Sequence, residues 1–104
     1  MIKTAVARRY AQALFELLDQ SNIEATRGSL NGLAQAIKES LSLRHVVASP
    51  AFGVEDKIAV LSELAARFGS PPAVRAFLGQ LVKKNRVGFL PEIADAFGKL
   101  VDRS

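Results

Sequence analysis

The sequence predicts an all-α fold, a single-domain bundle of about six helices. With 104 residues, 49% of them hydrophobic, the chain is long enough for one buried core and too short for two ordinary domains. Apolar residues recur at helical spacing in successive segments, which are separated by glycine, proline or serine. No segment shows the sustained alternation that is typical of a strand. We therefore treat residues 1–104 as one helical domain.

The first helix is predicted over about residues 4–19, and its apolar residues form two neighbouring stripes. The first stripe consists of Val6, Tyr10, Ala13 and Leu17. The second stripe consists of Ala7, Ala11, Leu14 and Leu18. Together they make an apolar arc wider than contact with one neighbouring helix requires. This helix can therefore serve two partners.

Helix two is predicted to begin at a capping box over residues 21–24, in which Ser21 and Glu24 satisfy free backbone amides, and to run to about Glu39. Gly28 and Gly32 lower the helix propensity, so we expect another backbone to come close to them. The side chains predicted to point inward are Leu30, Leu33, Ala34, Ile37 and Leu41.

A short third helix is predicted over residues 43–47, ending before Pro50 because a residue that precedes proline favours extended backbone. Helix four is predicted from about residue 54 to 68, and Gly69 should end it by adopting a left-handed conformation. The side chains of helix four predicted to be buried are Ile58, Leu61, Leu64, Ala65 and Phe68.

Helix five is predicted over about residues 71–84, with Ser70 as its cap, Pro71 at its first position and Asn85 at its end. Helix six is predicted over about residues 87–102, and Pro91 is tolerable only in its first turn. The apolar residues of these two helices are Val74, Phe77, Leu78, Leu81, Val82, Leu90, Ile93, Ala94, Phe97, Leu100 and Val101.

The sequence predicts no catalytic, cofactor or metal site. There is no cysteine, and the single histidine, His45, has no second histidine to share a metal. Glu55 and Asp56 lie at the start of helix four, where the helix dipole stabilises negative charge, so we interpret them as first-turn charges. Residues 28–32 lack the preceding strand and the following lysine of a phosphate-binding loop. We predict that the chain is not an enzyme.

The net charge of +4 leaves open an alternative function, a small basic helical module that binds nucleic acid. Helices four and five could form a helix-turn-helix, with Lys83, Lys84 and Arg86 as phosphate contacts. Against this, residues 71–74 are Pro-Pro-Ala-Val, which offer no polar group to base edges. No run approaches the roughly 18 apolar residues that span a membrane, so no membrane insertion is predicted.

Residues 7–17, Ala-Arg-Arg-Tyr-Ala-Gln-Ala-Leu-Phe-Glu-Leu, resemble the opening helix of the delta subunit of F-type ATP synthase. In mitochondria this subunit is called the oligomycin-sensitivity-conferring protein. Later landmarks of the family are similar in order and spacing across nearly the whole chain. They are Ser49-Pro50, Lys57, Phe77-Leu78, Leu81, Asn85-Arg86, Leu90-Pro91, Ile93, Phe97 and Leu100.

The resemblance implies a six-helix N-terminal domain on top of the F1 catalytic head of the proton-translocating enzyme. It implies a non-catalytic stator component that joins this head to the peripheral stalk. The domain would hold the N-terminal helix of an alpha subunit in a groove between helices one and five. The implied groove residues are Val6, Tyr10, Ala13, Leu14, Leu17, Ala73, Ala76, Phe77 and Gln80. The wide apolar arc of helix one and the small, mild face of helix five suit such a contact.

Subunits of this family usually carry a further C-terminal region that contacts the b subunit of the stalk, whereas this chain stops at Ser104. We therefore expect an N-terminal domain that reaches the b subunit only through a missing region. Because no transit peptide precedes helix one, a bacterial protein is favoured. By the resemblance it would lie peripherally on the cytoplasmic face of the inner membrane, within the complex. We expect a monomer when the domain is isolated.

Overall fold

The computed structural model describes residues 2–104, with side chains from Lys3 onward. Within these residues there are six α-helices and no strand, so the all-α prediction is confirmed. Single turns of 3-10 helix, Gln20–Asn22 and Val87–Phe89, precede the second and sixth helices. The helices are α1 (Ile2–Leu17), α2 (Ile23–Glu39), α3 (Leu41–Ala48), α4 (Val54–Arg67), α5 (Pro72–Lys83) and α6 (Leu90–Arg103).

Helix α6 lies at the centre of the bundle, because it packs extensively against both α1 and α2. Phe97 of α6 is fully buried and meets Phe15 of α1 edge to face, with ring centroids 5.9 Å apart. Helix α5 packs mainly against α4 and touches α1 along a shorter seam. The radius of gyration is 12.7 Å, close to the ~13 Å expected of a compact domain of this length.

The core consists largely of the residues that helical periodicity predicted. On α4, Leu61 and Ala65 are buried, whereas Ile58 and Leu64 are half-buried. Phe77, Leu100 and Val101 are also half-buried. The confirmed core residues of the other helices are Leu30, Leu33, Ala34, Ile37, Val74, Leu78, Leu81, Val82, Leu90, Ile93, Ala94 and Phe97.

The prediction that Leu41 points inward is wrong, because its side chain is 73% exposed. Ser40 adopts extended backbone (φ −108°, ψ 110°) and so breaks the helix before Leu41. The Ser40 hydroxyl accepts a hydrogen bond of 3.1 Å from the backbone N–H of Leu43. This cap starts α3 at Leu41, in a new direction, and removes Leu41 from the inward stripe of α2.

The predictions for Phe68 and the two glycines of α2 need correction. Phe68 is 42% exposed, and its ring lies across Gly32, with ring atoms 2.7 to 2.9 Å from where a Cβ would stand. Gly32 therefore makes room for a side chain and not for a backbone. Gly28 has nothing within 4 Å of such a Cβ, so the expected close approach there is wrong.

The predicted ends of α4 and α5 are confirmed, and both use a left-handed residue. Gly69 has φ 72°, and the amide that follows it donates to the Ala65 carbonyl at 3.0 Å. Asn85 has φ 57°, and the Arg86 amide donates to the Leu81 carbonyl at 2.8 Å. These six-residue hydrogen bonds satisfy carbonyls that the helix ends leave unpaired.

The predicted helix starts are less accurate. Ser21 lies inside a 3-10 turn that leads directly into α2, so the capping box does not form, and Asn22 takes the cap position without a side-chain hydrogen bond. Helix α5 starts at Pro72, with Pro71 as its cap, while the Ser70 hydroxyl is buried and hydrogen-bonded to the Ser29 hydroxyl. Helix α6 starts at Leu90, which places Pro91 in the first turn as predicted.

Replacing the two glycines of α2 by alanine should change the free energy of unfolding differently. Gly28→Ala should raise the free energy of unfolding by up to about 1 kcal/mol, because alanine favours the helix and the position is open. Gly32→Ala should forfeit this gain, because the new methyl group displaces the Phe68 ring. Urea unfolding of both variants measures the difference. Equal stabilisation by the two substitutions would contradict the packing of Phe68 on Gly32.

Candidate partner-binding surface

Helices α1 and α5 meet at an aromatic pair, Tyr10 and Phe77. Their ring centroids are 5.9 Å apart and their planes make an angle of 75°, an edge-to-face arrangement that aromatic rings favour. Both residues are half-buried, so each keeps part of its surface in contact with solvent. Because α1 packs mainly on α6 and α5 on α4, the two helices leave an open strip between them, and this pair contributes to its walls.

The α1 side of this strip carries an apolar stripe that is separate from the core. Ala7, Ala11 and Leu14 are buried against the bundle. At 100° per residue, the neighbouring stripe consists of Val6, Tyr10, Ala13 and Leu17. Val6 is half-buried, Ala13 is exposed, and Leu17 is 77% exposed. Helix α1 thus has one buried apolar stripe and a neighbouring apolar stripe that is half-buried or exposed.

The α5 side of the strip is lined by small or mildly polar residues. Ala73, Ala76, Phe77 and Gln80 share one face, beside the buried stripe that includes Val74, Leu78 and Leu81. Ala73 is half-buried, whereas Ala76 and Gln80 are exposed. Small side chains permit close approach of another backbone, so this wall is shallow and open.

One of the nine predicted groove residues lies elsewhere. Leu14 is 1% exposed and belongs to the core, because its position on α1 follows the Ala7 and Ala11 stripe. It can support the strip from beneath but has almost no surface to offer to a partner. The other eight residues are half-buried or exposed on α1 and α5, and their place in a groove stays a prediction.

Sequence reasoning missed a contact between Arg86 and Tyr10. The Arg86 Nη1 donates to the Tyr10 hydroxyl at 2.9 Å, and the guanidinium carbon lies 5.7 Å from the centre of the Tyr10 ring. The two residues are 76 positions apart, so no local pattern could reveal the contact. The only signal was the Asn85-Arg86 landmark directly after helix five.

Two cavities lie outside this strip. One of about 670 Å³ lies between α1 and α6 and is lined mostly by charged and polar side chains, including Arg8, Lys38, Asp95 and Lys99. Another of about 460 Å³ lies beside α3. The α1–α5 strip is an open, elongated surface, which suits an extended or helical partner better than a small molecule.

Other predicted features have these positions in the structure. His45 is exposed on α3, and Glu55 and Asp56 lie in the first turn of α4 as predicted. Over residues 2–104, no three potential metal-ligating side chains gather in one place. None of the helices described is both long enough and apolar enough to cross a membrane.

The profile of the ATP synthase delta (OSCP) subunit family matches residues 6–104. The chain belongs to this family. All nine predicted groove residues fall within the matched segment.

Relatives named ATP synthase subunit delta support the assignment. The subunit from Phenylobacterium zucineum is 43% identical over 93 residues, which cover 88% of this chain and 50% of the relative. The one from Desulfitobacterium hafniense is 36% identical over 104 residues, 100% of this chain and 58% of the relative. The one from Desulfovibrio desulfuricans is 39% identical over 107 residues, with the same coverage. The chain thus spans about half the length of these relatives.

The two apolar stripes of α1 predict different effects on stability. Leu14→Ala should lower the free energy of unfolding by about 2–5 kcal/mol, because it leaves a cavity in the core. Leu17→Ala should change it by less than about 0.5 kcal/mol, because the side chain is largely in solvent. Thermal and urea unfolding measure both. A large loss for Leu17→Ala would show that the outer stripe is needed for the fold itself.

Proposed function

We propose that this domain is a stator joint of ATP synthase that binds the N-terminal helix of an alpha subunit in the α1–α5 strip. The observation that carries the proposal is the outer stripe of α1, where Ala13 and Leu17 remain exposed although the core of the bundle is complete. Membership of the delta subunit family supplies the class of complex in which such a surface would be used.

The strip has the features that a helix-in-groove contact needs. The partner's apolar face would cover Leu17 and the exposed parts of Val6, Tyr10 and Phe77, removing apolar surface from water at about 25 cal/mol per Å². Ala13 and Ala76 would allow the two backbones to approach closely. Gln80 lies at the edge, where an amide can hydrogen-bond to the partner or to water.

The same features suit a static contact that must stay bound under load. Exposed ion pairs contribute little and weaken with salt, whereas a preformed apolar contact avoids much of the cost of ordering side chains on binding. In the proposed role the domain performs no chemistry and keeps the catalytic head from turning with the rotor. It would lie peripherally at the cytoplasmic face of a bacterial inner membrane. In this proposal, the contact with the b subunit is made by the region that the relatives have and this chain does not span.

The nucleic-acid alternative has less support. Arg86, one of its three candidate phosphate contacts, already donates to Tyr10. The start of α5 carries Pro72 and Ala73, which offer no polar group to base edges. Lys83 and Lys84 are exposed at the opposite end of α5, where they complement the helix dipole.

A calorimetric titration with a peptide from the alpha N-terminus tests the proposal. About twenty residues provide ~30 Å of helix, enough to lie along the strip. We expect one-to-one binding with an affinity that changes little between low and high salt. Absence of peptide binding would contradict the proposal, and steeply salt-dependent binding of duplex DNA or RNA would favour the alternative.

Ala13→Asp is expected to weaken this binding roughly 100-fold, about 2.7 kcal/mol. The substitution places a carboxylate without a partner in a contact that the peptide would bury. Ala13 is exposed in the free domain, so stability should change little. Calorimetry measures the affinity, and circular dichroism verifies the fold.

The matched control is Ala5→Asp, which adds the same charge to the same helix. Ala5 is exposed and lies outside the stripe of Val6, Tyr10, Ala13 and Leu17. The affinity of the Ala5→Asp variant for the alpha peptide should stay within about twofold of that of the unsubstituted chain. Equal affinities for the two variants would exclude Ala13 from the contact.

A further inference from the structure

The contact between Arg86 and Tyr10 ties the end of α5 to a wall residue of the α1–α5 strip. Arg86 follows Asn85, whose left-handed backbone (φ 57°) turns the chain at the end of α5. The Arg86 amide closes this turn on the Leu81 carbonyl at 2.8 Å. The backbone position of Arg86 is therefore set by the helix end, and its side chain extends towards α1.

Two groups from the α5 side hold the Tyr10 ring. Phe77 meets it edge to face, with centroids 5.9 Å apart. Arg86 donates to the hydroxyl at 2.9 Å and has its guanidinium 5.7 Å from the ring centre. One arginine thus makes both a hydrogen bond and a cation–π contact with the same side chain, which a planar guanidinium with several donors can do.

No other charge in the described residues competes for Arg86. No carboxylate lies within 4.0 Å of its guanidinium, and the salt bridges of residues 2–104 involve other cations. Arg86 is exposed. An exposed arginine that is not in an ion pair but holds an aromatic ring 76 positions away is better explained by that ring than by a general surface charge.

We infer that Arg86 is a positioning residue, which fixes Tyr10 in the orientation that makes it a wall of the strip and so preorganises the strip for its helical partner. The inference rests on the proposed function. Tyr10 is only half-buried, so without Arg86 its ring would sample other rotamers in the free domain. Binding would then have to restrict the ring again, which weakens affinity.

The composition of the chain provides a direct probe. Tyr10 is the only tyrosine, and there is no tryptophan. The tyrosine band of the near-ultraviolet circular dichroism spectrum therefore reports on this one ring. A ring held in one orientation gives a strong band, and a ring that samples several orientations gives a weak one.

The test compares Arg86→Met with Arg75→Met, in the free chain and with the alpha peptide. Arg75 is also exposed on α5 but lies on the face away from the strip, so its substitution removes the same charge. Arg86→Met should lose most of the tyrosine band, keep its helical signal, and bind the peptide about three- to tenfold more weakly. Adding the alpha peptide should restore the tyrosine band of Arg86→Met. Arg75→Met should behave like the unsubstituted chain.

A double-mutant cycle with Tyr10→Phe separates positioning from direct attraction of the peptide by Arg86. If Arg86 acts through Tyr10, Arg86→Met should cost less affinity in the Tyr10→Phe background. An equal cost in both backgrounds would overturn the inference. If Arg86→Met disturbs the fold, Arg86→Lys replaces it in the cycle, since it keeps the charge and the stem but lacks the planar fork.

The outcomes distinguish this inference from the proposed function. Peptide binding by the unsubstituted chain, with an unchanged tyrosine band and affinity in Arg86→Met, would overturn the role of Arg86 and leave the proposed function standing. No binding by the unsubstituted chain would overturn both.

Discussion

The packing of α6 between α1 and α2 is the constraint on which the rest of the structure depends. Phe97 and Ile93 are fully buried at this contact, and Phe15 of α1 meets Phe97 edge to face. Because α6 covers the stripe of α1 that contains Ala7 and Ala11, the rotation of α1 about its axis is fixed. The other apolar stripe, which contains Ala13 and Leu17, must then face outward. The exposed strip is therefore a consequence of the core and not an independent feature.

The position of α5 follows from a different contact. Helix α5 packs chiefly on α4, and the turns at Gly69 and Asn85 fix where it begins and ends. It reaches α1 mainly through the pair of Tyr10 and Phe77. The strip thus lies between two helices that each pack mainly on another neighbour and touch each other only along a short seam. The contacts of Tyr10 with Phe77 and Arg86 link the two helices along this seam.

Helical periodicity predicted the core well because burial of an apolar stripe decides where a helix faces. The errors lie where a local signal competed with a tertiary contact. Ser21 matched a capping box, yet a 3-10 turn occupies that position, and Ser70 hydrogen-bonds to Ser29 instead of capping α5. Leu14 was assigned to the groove by the family resemblance, although it belongs to the stripe of α1 that the core buries. The Arg86 contact could not be predicted, since it depends on how two distant helices pack.

The strip exposes little apolar surface in the free domain and still suits the proposed contact with a helix. Large exposed apolar patches favour association, but most of this strip is small: Ala13 and Ala76 contribute little apolar area, and Leu17 is its one largely exposed large side chain. The aromatic rings of Tyr10 and Phe77 are half-buried against each other. When a helix docks, the same small residues let its backbone come near, so that contact area is gained from the partner's side chains. Small residues limit what the free domain exposes and increase what the proposed complex can bury.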